Sequence, residues 1–203
     1  MEYEAYLKQV MALVQKKFFL GQQRLNGEES QKLAAEIIED NQKLYETEAL
    51  GMGQEDFWAM AYLLRIGTYT EFERHLIFLL FCHALWPECS DACRVLNGRP
   101  EQNYVTIKAA VLTFEREITF VECYVLLSEN SLFCKIFLDR DKMEESRAER
   151  KLVLDDRILH LIITKSPIYP QHQNFLKIFY PEAVVSEDFG QDRMLSGIKN
   201  ILS

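Results

Sequence analysis

Glycine and proline are scarce in this chain, 8 and 5 among 203 residues, which excludes collagen-like and low-complexity architectures. No apolar run approaches the roughly 20 residues that a membrane helix needs; the most apolar stretch, Leu76 to Trp86, is about half that length and contains His83. Basic residues are outnumbered, 23 to 31, and the net charge of −8 repels a phosphate backbone unless the cations cluster on one face. The beginning, Met1-Glu2-Tyr3-Glu4, has no basic n-region and does not read as a signal peptide. Five cysteines, an odd number in a chain too long to depend on disulfides, suit reduced thiols and a cytoplasmic location. What the chain does have is 48% hydrophobic residues, with 13 Phe and 9 Tyr, enough for a substantial core.

The first half has helical periodicity. Tyr6, Leu7, Val10, Leu13, Val14 and Phe18 recur at three and four residues and predict a helix from Tyr3 to about Gly21. Leu33, Ile37, Leu44 and Tyr45 predict a second from Glu28 to about Ala49, the two forming an antiparallel hairpin across Asn26-Gly27. Its acidic residues Glu28, Glu29, Glu36, Glu39 and Asp40 read as a solvated face. A third helix carries Phe57, Trp58, Tyr62, Leu63 and Ile66. The capping box Thr70-x-x-Glu73 then opens the most apolar helix, which lasts until Pro87 and belongs at the centre of the core.

Shorter elements follow: a helix over Ser90–Leu96 closed by Asn97-Gly98, one over Val105–Phe114, and one started by the box Thr119-x-x-Glu122 and reaching Leu127. Leu132–Leu138 is short, aromatic and bounded by polar residues, which predicts a strand, with Lys151–Leu154 as its partner. Between them, Asp139–Arg150 holds nine charged residues in twelve, the composition of a solvated hairpin loop. Asp155 caps a closing helix through Ile158, Leu161 and Ile162. The fold class is therefore mainly α (α+β): a helical body with a winged-helix-like module and a small antiparallel β-hairpin. The expected divisions are a hairpin over 1–50, the winged-helix-like domain over 51–164, and an extension or linker over 165–203.

Signals for chemistry are sparse. Cys82, His83, Cys89 and Cys93 fall within twelve residues, but the adjacent Cys82 and His83 point in different directions and lack the paired knuckles of a zinc site. Buried thiols are the expectation. Cys123 or Cys134 with His160 sits on no nucleophile elbow, and Asp188-Phe189-Gly190 stands without the rest of a kinase signature. With no G-x-x-x-x-G-K-[ST], the chain is expected to be non-enzymatic and to need no cofactor or metal. A winged helix suggests DNA, yet Val105–Phe114 offers only Lys108 as a cation and the charged loop has five acids against four bases.

Three stretches together resemble a known region. Phe72 to Glu88 (FERHLIFLLFCHALWPE) resembles the F-x-R-x-L-L-L-L-A-L-A-P-E pattern in the N-terminal winged-helix-like region of a group of bacterial AAA family ATPases, some of which accompany contractile injection systems. Tyr104 to Leu112 is similar to that region's P-T-V-x-L-A-L helix, and Leu152 to Leu161 to its L-x-L-D-[DE]-R-[IV] closing motif. Trp86 and Cys82 replace small residues usual there, and the proline before Val105 is displaced to Pro100. The resemblance implies a non-catalytic module that binds a protein substrate or adaptor, or organises an ATPase ring, either as part of a longer ATPase or as a stand-alone relative. Read from the residues themselves, Arg74 and Glu88 flank the central helix while Asp155, Asp156 and Arg157 open the closing one, where acids suit the helix N-terminus. Capping and ion pairing that lock these two helices together is the expected role. Candidate partner contacts are the loop residues Asp139, Arg140, Asp141, Lys142, Glu144, Glu145 and Arg147.

Overall fold

The computed structural model describes residues 3–28, 30–51, 58–65, 69–114, 118–127, 132–138 and 150–165. They form α1 (Tyr3–Leu25), α2 (Gln31–Gly51), α3 (Ala59–Arg65), α4 (Glu71–Leu85), α5 (Pro87–Asn97), α6 (Ile107–Phe114), α7 (Phe120–Leu126), α8 (Leu132–Phe137) and α9 (Asp156–Thr164). The predicted extension after Lys165 lies outside the described residues. No single helix among those described is long and apolar enough to cross a membrane.

Local chemistry sets most helix ends. The Thr70 hydroxyl accepts the Glu73 amide at 3.2 Å while the Glu73 carboxylate accepts the Thr70 amide at 2.8 Å, and Thr119 with Glu122 repeats the exchange before α7. Asp155 accepts the Arg157 amide at 2.8 Å and starts α9. Gly98, at φ 72°, closes α5 in the left-handed conformation that a side chain resists.

Several ends differ from expectation. α2 starts after Ser30, whose hydroxyl takes the Leu33 amide, and not at Glu28. α5 starts at Pro87, three residues before Ser90, because proline lacks only an N–H that the first turn leaves unbonded anyway. α6 starts at Ile107, since Thr106 caps it through the Ala109 amide and Val105 is occupied in an extended pairing. α1 passes through Gly21 to Leu25: this glycine lets α6 approach, for a Cβ there would lie 3.1 Å from the Leu112 carbonyl oxygen.

The strand expected over Leu132–Leu138 is the helix α8. Alternation would have placed Lys135 on the same face as Phe133 and Phe137; the helix instead exposes Lys135 and buries Phe133, Cys134 and Phe137, with the two rings 5.2 Å apart. Only Leu138 is extended, and it bridges Leu154. The expected β-hairpin is thus reduced, among the described residues, to isolated bridges. Lys151–Leu154 is extended as predicted, burying Leu152 and Leu154, but it pairs at both ends with different segments: Lys151 bridges Thr106, Leu152 donates to the Val105 carbonyl at 2.8 Å, and Asp155 donates to that of Phe137 at 2.8 Å.

One apolar core runs from Tyr3 to Ile162 and includes residues of the first two expected divisions, 1–50 and 51–164. α4 lies inside it, with Phe72 and every residue from Arg74 to Cys82 buried, as its composition predicted. α1 packs against α2, α4, α5 and α6. Beyond α2, the Trp58 indole covers Gly51 so closely that a Cβ on Gly51 would fall 2.2 Å from the ring. Helix propensity alone makes Gly51→Ala stabilising by up to about 1 kcal/mol. The overpacking dominates, and the variant is expected to lose about 1–3 kcal/mol in urea unfolding.

Candidate functional site

The polar residues of the core follow from helix phase. On α1 the buried stripe Tyr6, Val10, Leu13, Val14, Phe18 and Gly21 also includes Lys17; on α2 the stripe of Ile37 and Leu44 includes Asn41 and Glu48. Antiparallel packing brings Tyr6 opposite Glu48 and Lys17 towards Asn41. α4 inserts Arg74 and His75 between them.

At the first level, Arg74 donates to the Glu48 carboxylate at 2.5 Å and to the Leu64 carbonyl at 3.4 Å, while the Tyr6 hydroxyl donates to the other Glu48 oxygen at 2.9 Å. The guanidinium lies over the Tyr45 ring, 4.4 Å from its centre. Burial and the Glu48 charge hold the Tyr6 phenol well above its ordinary range, so it remains a donor.

At the second level, the Lys17 ammonium is 3.1 Å from His75 Nδ1, and His75 Nε2 is 3.0 Å from Asn41 Oδ1. An ammonium can only donate, so Nδ1 accepts and Nε2 carries the proton. The Asn41 amide then donates to Glu71 at 2.7 Å, which makes a directed chain from a cation 4% exposed to a carboxylate at the surface. The Phe114 ring stacks on His75 and carries Lys17 over its face at 5.1 Å.

Beside this chain a cavity of about 310 Å³ opens between α1, α2 and α6. Among the described residues, Lys17, Arg24, Asn41, Glu71 and Thr113 supply its polar groups; Leu20, Ala34, Ile37, Ile38 and Phe114 supply apolar wall. Arg24 reaches across to the Leu112 carbonyl at 3.3 Å. A smaller space of about 140 Å³, between α1 and α5, is lined by Phe18, Phe19, Glu88 and Cys89.

The residues singled out from sequence are distributed differently from expectation. Arg74 pairs with α2 and not with the closing helix. Arg157 pairs with Asp155, 3.0 Å away on its own turn, and Asp156 is exposed beside them. Tyr3 attaches α9 instead, donating to the Ile162 carbonyl at 2.9 Å and accepting the Met60 amide at 3.2 Å. Glu88 is exposed in the first turn of α5. Asp139, Arg140, Asp141, Lys142, Glu144, Glu145 and Arg147 lie outside the described residues.

All five cysteines are buried and free. His83, near Cys82 in sequence, is 2.8 Å from the Asn103 carbonyl oxygen, and among the described residues no group of three or more His, Cys, Asp or Glu is placed to hold a metal ion. Cys123 neighbours Cys134 within the core, and burial pushes its thiol up to about 12. Burial likewise pushes Cys93 up to about 12. Burial, and then the neighbouring Cys89, raises the Cys82 thiol, while the interaction with Cys82 lowers that of Cys89.

Two outcomes follow. Arg74→Met leaves Glu48 buried without its cation and is expected to cost about 3–5 kcal/mol in chemical denaturation, while Arg74→Met with Glu48→Leu recovers most of the loss. Cys89, which also lines the smaller space, is expected to be alkylated near neutral pH before Cys82, Cys93 and Cys123, whose thiols are raised, and mass spectrometry should find that Cys82→Ala slows it. Comparison of the chain with protein-family models, curated proteins and solved structures gives no match.

Proposed function

We propose that this chain is a non-catalytic protein-interaction module of the kind its resemblance implies: a winged-helix-like N-terminal region of a AAA-type ATPase that binds a substrate or adaptor protein or organises the ring. The observation that carries the reading is the position of Lys151–Leu154, paired on one side with Val105–Thr106 and on the other with Phe137–Leu138. Extended segment, helices, extended segment, charged connection and a third extended segment between the first two is the chain order of a winged helix. It also unites two of the three resembling stretches, since Tyr104–Leu112 and Leu152–Leu161 meet there.

Protein is favoured over nucleic acid as the partner. Lys108, the one cation of α6, donates to the Asn97 carbonyl at 2.9 Å, which leaves that helix poorly equipped to read bases. Val121 and Val125, one turn apart on α7, are 71% and 65% exposed and present an apolar pair instead. The chain from Asp139 to Glu149 joins two anchored ends and carries charges of both signs, suited to an ionic contact with a protein. Reduced buried thiols fit a cytoplasmic setting.

A photo-crosslinking amino acid at Lys142, used in living cells, should capture discrete proteins, and replacing 139–149 by a Gly-Ser linker should abolish capture by the same probe moved to Val125 while thermal unfolding is unchanged. Unaltered capture removes the loop from the interface. Heat from ATP binding in isothermal titration, or duplex-DNA binding that collapses as salt rises, overturns the module reading.

A further inference from the structure

We infer that Asn26 is a site of spontaneous covalent modification, converting to aspartate and isoaspartate through a succinimide closed by Gly27, whereas the fold protects the second Asn-Gly pair, Asn97-Gly98. The inference is independent of the partner-binding reading. These are the two Asn-Gly pairs of the sequence, and each ends a helix with its glycine at φ 72°. At Asn26 the end is a Schellman motif: the Glu28 amide donates to the Gln23 carbonyl at 2.9 Å and the Gly27 amide to that of Arg24 at 3.0 Å. Asn26, Gly27 and Glu28 are all exposed, and a Cβ placed on Gly27 would meet nothing within 4 Å. The turn has open space in which to change shape.

The reaction needs only water and hydroxide. The Gly27 nitrogen, having lost its proton to hydroxide, attacks Asn26 Cγ; this new C–N bond closes a cyclic imide, the Cγ–Nδ2 bond breaks, and ammonia leaves with a proton taken from water. Water then opens the imide. Attack at Cγ breaks its bond to the Gly27 nitrogen and gives aspartate, while attack at the Asn26 backbone carbonyl leaves the main chain running through Cγ as isoaspartate. Glycine suits the first step because no side chain crowds its nitrogen. Its N–H is held by Arg24, so the attack uses the frayed conformations that a helix end visits at little cost.

At the end of α5 the same dipeptide is pinned by its asparagine. Asn97 is 4% exposed; its Nδ2 donates to the Gln102 and Tyr104 carbonyls at 2.9 and 3.0 Å, and its Oδ1 accepts the Thr106 hydroxyl at 2.6 Å. Turning Cγ towards the Gly98 nitrogen gives up these contacts, which slows the reaction roughly a hundredfold. Modification at Asn26 acts on the fold. Either product places a negative charge at the C-terminus of α1, where the helix dipole opposes it. Isoaspartate also adds a methylene to the main chain between Gln23 and Glu28, inside the ring that their hydrogen bond closes, and so loosens the turn from α1 to α2.

The test is to age the full chain at mildly alkaline pH, in parallel with the same chain in guanidinium, and to follow both Asn-Gly peptides by mass spectrometry, with isoaspartyl methyltransferase as a second probe. In the native chain position 26 is expected to convert roughly a hundredfold faster than position 97, and in guanidinium the two rates should converge. Asn26→Gln should remove most of the methyl acceptance of the aged chain. Chain carrying isoaspartate at position 26, separated by ion exchange, should melt below the unaged chain. The site is overturned by faster or equal conversion at position 97 in the native chain, or by methyl acceptance unmoved in Asn26→Gln. A native rate ratio that persists in guanidinium overturns protection by the fold, and an unchanged melting temperature overturns the effect on the turn.

Discussion

The pairing of Arg74 with Glu48 is the constraint on which the arrangement of the first four helices depends. Their side chains are 10% and 2% exposed, so each charge has lost most of its water and is compensated only by the other and by the groups around them. Those groups come from three helices besides Arg74's own: Tyr6 on α1, Tyr45 on α2 and the Leu64 carbonyl on α3. Moving any helix by one residue rotates its side chains by about 100° and breaks a contact that apolar packing could have re-formed elsewhere. Such a pair is close to neutral in energy against a well-packed apolar substitute. What it fixes here is register.

The neighbouring residue extends the same geometry. His75 is one position from Arg74, Asn41 two turns from Glu48, and Lys17 three turns from Tyr6, so two polar layers stack along one helix interface. The layers differ in character. The first is closed, with its carboxylate receiving both a guanidinium and a phenol. The second begins at a buried cation and ends at Glu71 near solvent, and beside it the packing leaves space. The first level is thus closed on itself, and the second runs out towards solvent beside a cavity.

Features decided within one turn of chain were legible in the sequence. The two capping boxes, the Asp155 cap, the Gly98 turn and the burial of α4 depend on side chains a few residues from the backbone they bond, and all are where the sequence puts them. Leu132–Phe137 was misread because its composition is that of a strand, whereas the helical spacing of Phe133 and Phe137 with Lys135 facing out decides its conformation. The candidate site was missed for a different reason. Lys17, Asn41, Glu48 and Arg74 look like ordinary surface residues until their phase is compared with the apolar stripes beside them, and Lys17 lies on the α1 stripe between Val14 and Phe18. That comparison flags the residues; only the tertiary packing tells which of them meet.

α1 also joins the two ends of the molecule. Tyr3, in its first turn, holds the α9 backbone at Ile162 and the start of α3 at Met60, and Lys17 and Arg24, in its second half, line the cavity. At 23 residues it is roughly 35 Å long, and it is anchored between by Tyr6 on Glu48 and by the close approach of Gly21 to α6. Lys17 therefore lies on the same helix that, through Tyr3, holds the closing one, and α9 follows directly from the extended segment that pairs with Val105 and Phe137. The polar contacts of this one helix are the attachments that tie the wall of the cavity to the closing helix.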